Sequence, residues 1–198
     1  MPPQSTKLPL HILFVFIDGV GLGQELPDFN PLSQLKLPAF STLGKNQQWI
    51  QGLTPVQDAD HVFKPIDACL SVDGLPQSGT GQATLFTGKN CAKIAGRHFG
   101  PYPHSTSKPV IATDNIFTQV QRVLPHHPEP NAFANAYPPP FFKHATARNR
   151  WTVTTLSCIE AGIPIRKEPE LERGHALTAD ITGNGWKEKL NMPIQSID

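Results

Sequence analysis

The chain has 198 residues, 38% of them hydrophobic and 17% charged, which is enough for one domain with its own core and excludes a disordered or supercharged chain. Seventeen basic and 16 acidic residues leave a formal net charge of +1, so neither a nucleic acid nor a membrane surface is an expected partner. Proline is the outlier: 21 residues, about twice average usage, require many turns and irregular connections.

Residues 1–8 read as a loose tail. Residues 10–17 (LHILFVFI) are continuously apolar and rich in β-formers, as expected of a parallel strand covered on both faces. The apolar run is too short to span a bilayer, and it ends in Asp18-Gly19 rather than at a cleavage site. A glycine-rich turn, residues 18–23, follows, and a helix is expected from Pro38. Residues 66–72 (IDACLSV) suit a second buried strand. The stretch from Gln77 runs into a short helix that stops at Gly88, and residues 97–112 look loop-like. Asp114 is placed to cap a helix reaching Val123. Residues 125–130 form a linker and 131–137 another strand, before Pro138–Pro140 interrupt. A helix is expected over 150–161, closed by Gly162, and a last one from Asn184. The alternation of strands and helices predicts one α/β domain over 1–198, with a mainly parallel sheet carrying helices on both faces.

Cys69, Cys91 and Cys158 lack the spacing of a zinc or redox site. They are expected to be small buried hydrophobes in a reducing cytoplasm.

Two motifs carry chemistry. In open α/β sheets, ligands bind beyond the carboxyl ends of strands. Asp18 follows the first expected strand, between residues that let a ligand approach the backbone, and suits a divalent cation; an aspartate holding its own turn is the plain alternative. The spacing Gly19-x-Gly21-x-Gly23 is not that of a dinucleotide-binding turn. The second motif, Gln77-Ser-Gly-Thr-Gly-Gln82, puts Ser78 and Thr80 at a helix start, where free N–H groups favour an anion. Either hydroxyl could equally serve as a cap, with no chemistry.

Together, FVFIDGVGLG (residues 14–23) and GLPQSGTGQATLFTG (residues 74–88) resemble the two N-terminal signatures of the alkaline-phosphatase superfamily. They are closest to its branch of cofactor-independent phosphoglycerate mutases and phosphopentomutases. The resemblance is specific over about 25 residues, with weaker similarity in NAFANAYPPPFF and HALTADITGNGW. It implies an alkaline-phosphatase-like core and two divalent metal ions, manganese or zinc. It makes Asp18 a metal ligand, and Ser78 both a metal ligand and the nucleophile that becomes phosphorylated. Gly81, three residues after Ser78, matches the family's offset and favours Ser78 over Thr80. The implied substrate is a small phosphorylated metabolite, processed by a hydrolase or a mutase.

Two departures stand out. Gln82 occupies the place where the mutases commonly have histidine, and residues 78–82 lack the proline and arginine of the sulfatase signature. Lys89, Arg97 and His98 follow the nucleophile helix and are candidates for binding the substrate phosphate. The family's further metal ligands stand in Asp-x-x-x-His and Asp-His-Gly patterns. After Ser78 this chain has Asp114, Asp180 and Asp198, with His98, His104, His126, His127, His144 and His175, none in either pattern. The chain also ends without an evident closing element, which leads to the expectation of a C-terminally truncated domain, with an inactive remnant or a non-catalytic phosphate-binding module as the alternative function.

Overall fold

A computed structural model describes residues 11–35, 37–179 and 182–192. The expected tail at 1–8, Asp180 and Asp198 lie outside these residues. The chain divides into two compact units, Met1–Ile66 and Asp67–Asp198.

The first unit holds two short helices, α1 (Pro31–Gln34) and α2 (Pro38–Leu43), and an antiparallel pair, β1 (Val56–Gln57) with β2 (Val62–Phe63). Proline opens each helix, where its missing N–H costs nothing. Trp49 packs between Phe40 and Phe63 in tilted contacts, at 4.3 and 5.2 Å between ring centroids, and donates its indole N–H to the Phe40 carbonyl at 2.8 Å. No hydrophobic side chain among the described residues of this unit is buried.

The strand expected over 10–17 is not formed by residues 11–17. They have no strand pairing, and Ile12 and Leu13 are more than 80% exposed. An apolar run becomes a strand only when a neighbour takes up its backbone groups and cover takes up both faces. Among the described residues, the pairing nearest in the chain is a parallel bridge from Gly23 to Ile50.

The second unit is mostly helical. Its elements are α3 (Ser78–Thr87), α4 (Cys91–Ala95), α5 (Lys108–Asp114), α6 (Ile116–Val123), β3 (Asn135–Ala136), α7 (Pro139–Arg148), α8 (Val153–Ala161), α9 (Glu168–Glu172), β4 (Leu177–Thr178) and α10 (Asn184–Leu190). One core joins Ala83 and Phe86 of α3 to Cys91, Ile111 and Val153, with Ile116, Phe117 and Leu156 packed against it. A second core, Ala136, Leu171, Ala176 and Trp186, lies beside the β3–β4 pair. That pair is parallel, and Ala136 also bridges in parallel to Arg166. The protein is therefore mixed α/β with small sheets.

Residues 66–72 are a run of turns rather than the expected strand. The Asp67 carboxylate accepts the N–H groups of Cys69 and Ser71 at 2.8 and 3.0 Å, and Leu70 and Ser71 take left-handed backbone angles. A side chain that captures nearby N–H groups competes directly with a strand ladder. The helix Pro139–Arg148 stands where Pro138–Pro140 was read as an interruption, because prolines fit a first turn. Likewise α5 occupies the end of the stretch read as loop. Asn115, not Asp114, caps α6, accepting from Phe117 and Thr118. Of the cysteines, Cys91 and Cys158 are buried and Cys69 is exposed.

Candidate active site

Ser78 is the first residue of α3 and is half-buried. The helix starts after an extended Gln77 and ends at Gly88, whose left-handed angle lets its N–H reach the Thr84 carbonyl. The glycine stop falls where the residue type demands it, whereas the start has no side-chain cap, so neither Ser78 nor Thr80 serves as the N-cap.

The start of α3 is locked to the loop of residues 97–104. Thr80 is wholly buried. Its N–H donates to the Phe99 carbonyl at 2.8 Å, and its hydroxyl accepts the Phe99 N–H at 3.2 Å and contacts the Gln77 carbonyl at 3.3 Å. The Thr80 hydroxyl is thus a structural latch, and its N–H is not available to an anion. Gly79 makes the close approach possible: a Cβ there would stand 2.6 Å from the Phe99 carbonyl oxygen and closer still to that of Tyr102. Gly100 faces the same crossing, 3.2 Å from the Ser78 nitrogen by the same measure. Gly81 differs. Nothing lies within 4 Å of its Cβ position, and it sits one turn beyond Ser78, on the same side of the helix.

The three phosphate-binding candidates separate. Lys89 is exposed beyond the far end of α3, about 15 Å along the axis from Ser78, so the fold does not bring it to the nucleophile. His98 is spent on structure: its Nε2 meets the Val72 carbonyl at 3.1 Å, and its ring packs against Gly74. Arg97 is exposed, with its guanidinium 5.6 Å from the centre of the Phe99 ring, on the loop latched to Thr80. Sequence reasoning missed the latch itself and also Arg150, whose guanidinium lies 5.4 Å from the centre of the Tyr102 ring. Neither contact has a sequence signature, because each joins residues brought together only by the loop's path.

Asp18 lies in the first unit, in an exposed turn with Gly19 at a φ of +75°, which glycine adopts without strain. Gly19 and Gly21, expected to let a ligand approach, have nothing within 4 Å of their Cβ positions, while Gly23 stands near the Asn30 side chain.

Among the described residues, no three His, Cys, Asp or Glu side chains gather where they could hold a cation. Asp114 pairs with Arg122 at 3.1 Å, and His104 bonds Thr106 at 2.8 Å. Two divalent ions need several ligands between them, more than the described donors bring together. No helix among the described residues is long and apolar enough to cross a membrane.

Comparison with family models, with curated proteins and with solved structures finds no match.

Proposed function

We propose that this chain carries the nucleophile of a phosphoester-processing enzyme, with Ser78 forming a phosphoserine from a small phosphorylated metabolite. The observation that supports this most is the pairing of Ser78 with Gly81. A glycine inside a helix costs about 1 kcal/mol relative to alanine, and no neighbour of Gly81 requires it. The open space beside it, on the side of the half-buried Ser78 hydroxyl, suits a ligand, and the resembled superfamily has glycine at this offset. In the reaction the Ser78 Oγ–P bond forms as the bond from phosphorus to the leaving oxygen breaks, and the hydroxyl proton ends on that oxygen or on water. Water or a second hydroxyl of the substrate then discharges the phosphoserine.

The parallel-sheet core with helices on both faces and a pair of manganese or zinc ions bound partly by Asp18 and Ser78 belong to this reading through the resemblance, and a cytoplasmic location through the cysteine usage. Neither nucleic acid nor membrane is a partner in it. The second reading, a phosphate-binding module without catalysis, is favoured by the scattered metal donors among the described residues.

The test compares the full chain with Ser78→Ala and Asp18→Asn on an aryl phosphate with manganese, following phenol release and phosphoserine by mass spectrometry. Ser78→Ala should lose several orders of magnitude in rate and all phosphoserine. Equal turnover in all three proteins would sink the mechanism, and phosphate binding without turnover would establish the second reading.

A further inference from the structure

Two arginines distant in sequence, Arg97 and Arg150, are mounted on one short loop. Arg97 lies over Phe99 and Arg150 over Tyr102, with ring-to-guanidinium distances of 5.6 and 5.4 Å. Such contacts hold a guanidinium against an aromatic face while leaving its N–H edge open to another partner. The two rings have a common base. The carbonyl oxygens of Phe99 and Tyr102 both lie within 2.6 Å of the point where a Gly79 Cβ would stand, at the start of α3. Phe99 is further fixed by its two bonds to Thr80. Among the described residues neither arginine forms an ion pair, although Arg122 and Arg173 do so with Asp114 and Glu170. Both are exposed. Two exposed guanidiniums without ion-pair partners among the described residues, held over rings of a loop whose backbone packs against the first turn of the Ser78 helix, have the chemistry for a doubly charged oxyanion, which each can engage with two parallel hydrogen bonds.

We infer that Arg97 and Arg150, mounted on Phe99 and Tyr102, form a clamp for the phosphate group of the ligand, with Arg150 as a binding residue. The class of ligand rests on the phosphoester reading above; the anchoring of each arginine over its ring does not.

The experiment titrates inorganic phosphate into the full chain and into Arg97→Ala, Arg150→Ala, Arg150→Lys and Arg148→Ala, by calorimetry, with a thermal melt of each. Arg97→Ala and Arg150→Ala should each bind about tenfold more weakly, while Arg148→Ala stays within about twofold of wild type. Arg150→Lys keeps a cation over Tyr102 but loses the planar fork, so it should melt like wild type and bind phosphate at an intermediate affinity. Should Arg150→Ala fail to fold, the lysine variant decides, and wild-type affinity there overturns the clamp. Equal affinity across the arginine variants, or no phosphate binding by the wild type, overturns it too. A wild type that binds phosphate through both arginines yet never forms phosphoserine would remove the nucleophile and leave the clamp standing.

Discussion

Gly79 and Gly81 lie two residues apart in one helix and answer to opposite constraints. At Gly79 a methyl group would run into the Phe99 and Tyr102 carbonyls, which are backbone and cannot swing aside. At Gly81 it would meet open space. Alanine is favoured over glycine inside a helix by about 1 kcal/mol, whereas overpacking costs about 1–3 kcal/mol and more against backbone. Gly79→Ala should therefore destabilise the second unit by about 2 kcal/mol despite its better helix propensity. Gly81→Ala should stabilise it by about 0.5–1 kcal/mol. Urea unfolding of both variants checks this, and the prediction fails if the two shifts have the same sign. Cys158 offers a test through pH. Burial pushes its thiol up to about 12 from an ordinary 9.0, and burial raises the Tyr137 phenol as well. The folded state thus holds protons that the unfolded chain gives up. That contribution is complete below about pH 9 and is lost as the pH rises toward 12. The urea midpoint should hold steady from about pH 7 to 8.5 and fall above about pH 9, with a shallower fall in Cys158→Ala. In the native protein, iodoacetamide should label Cys69 well before the two buried cysteines.

At the scale of elements, the helix stops at Gly88 and Gly162 were legible, while of the expected strands only the one over 131–137 has a counterpart among the described residues, β3. Helix α3 begins within the Ser78 motif without a side-chain cap, and α8 begins at Val153, capped by the Thr152 hydroxyl. A helix satisfies its own backbone, so its limits can be read from its own residues. A strand cannot do this. The runs at 10–17 and 66–72 have strand composition, but each needs a neighbouring strand that the described residues do not supply, and Asp67 offers the second run a local alternative. For the candidate site, the position of Ser78 at a helix start and its offset to Gly81 were visible in the motif. The demotion of Lys89 and His98, and the appearance of Arg150, were not. Lys89 is carried away by the length of α3, while His98 and Arg150 are assigned by packing against Val72 and Tyr102.

At the scale of the whole molecule, the two units have unequal internal support. The second has two buried clusters, built on Phe86, Ile111 and Val153 and on Leu171 and Trp186. In the first, no hydrophobic side chain among the described residues is buried, and its order rests on the tilted Trp49 ring contacts, short hydrogen-bonded turns and an exposed Lys45–Asp58 ion pair. Exposed pairs of this kind contribute little, because water and salt screen them. Segments with few buried apolar contacts open first. Brief digestion with chymotrypsin under native conditions should therefore cut within residues 11–66 before it cuts within 67–192, and early cleavage inside α3 or α8 would contradict this ordering. By itself the sequence determined the glycine stops of α3 and α8, the absence of a membrane-length apolar run, and Ser78 with Gly81 as the pair worth testing. Those features depend on residues close together in the chain, acting through backbone angles and local hydrogen bonds. Only the tertiary structure decided that Thr80 is a latch, that Gly79 is a packing requirement, and that Arg150 lies over Tyr102. Each of these depends on contacts between segments about 20–70 residues apart, whose proximity is set by how the cores pack and by no signal within either segment.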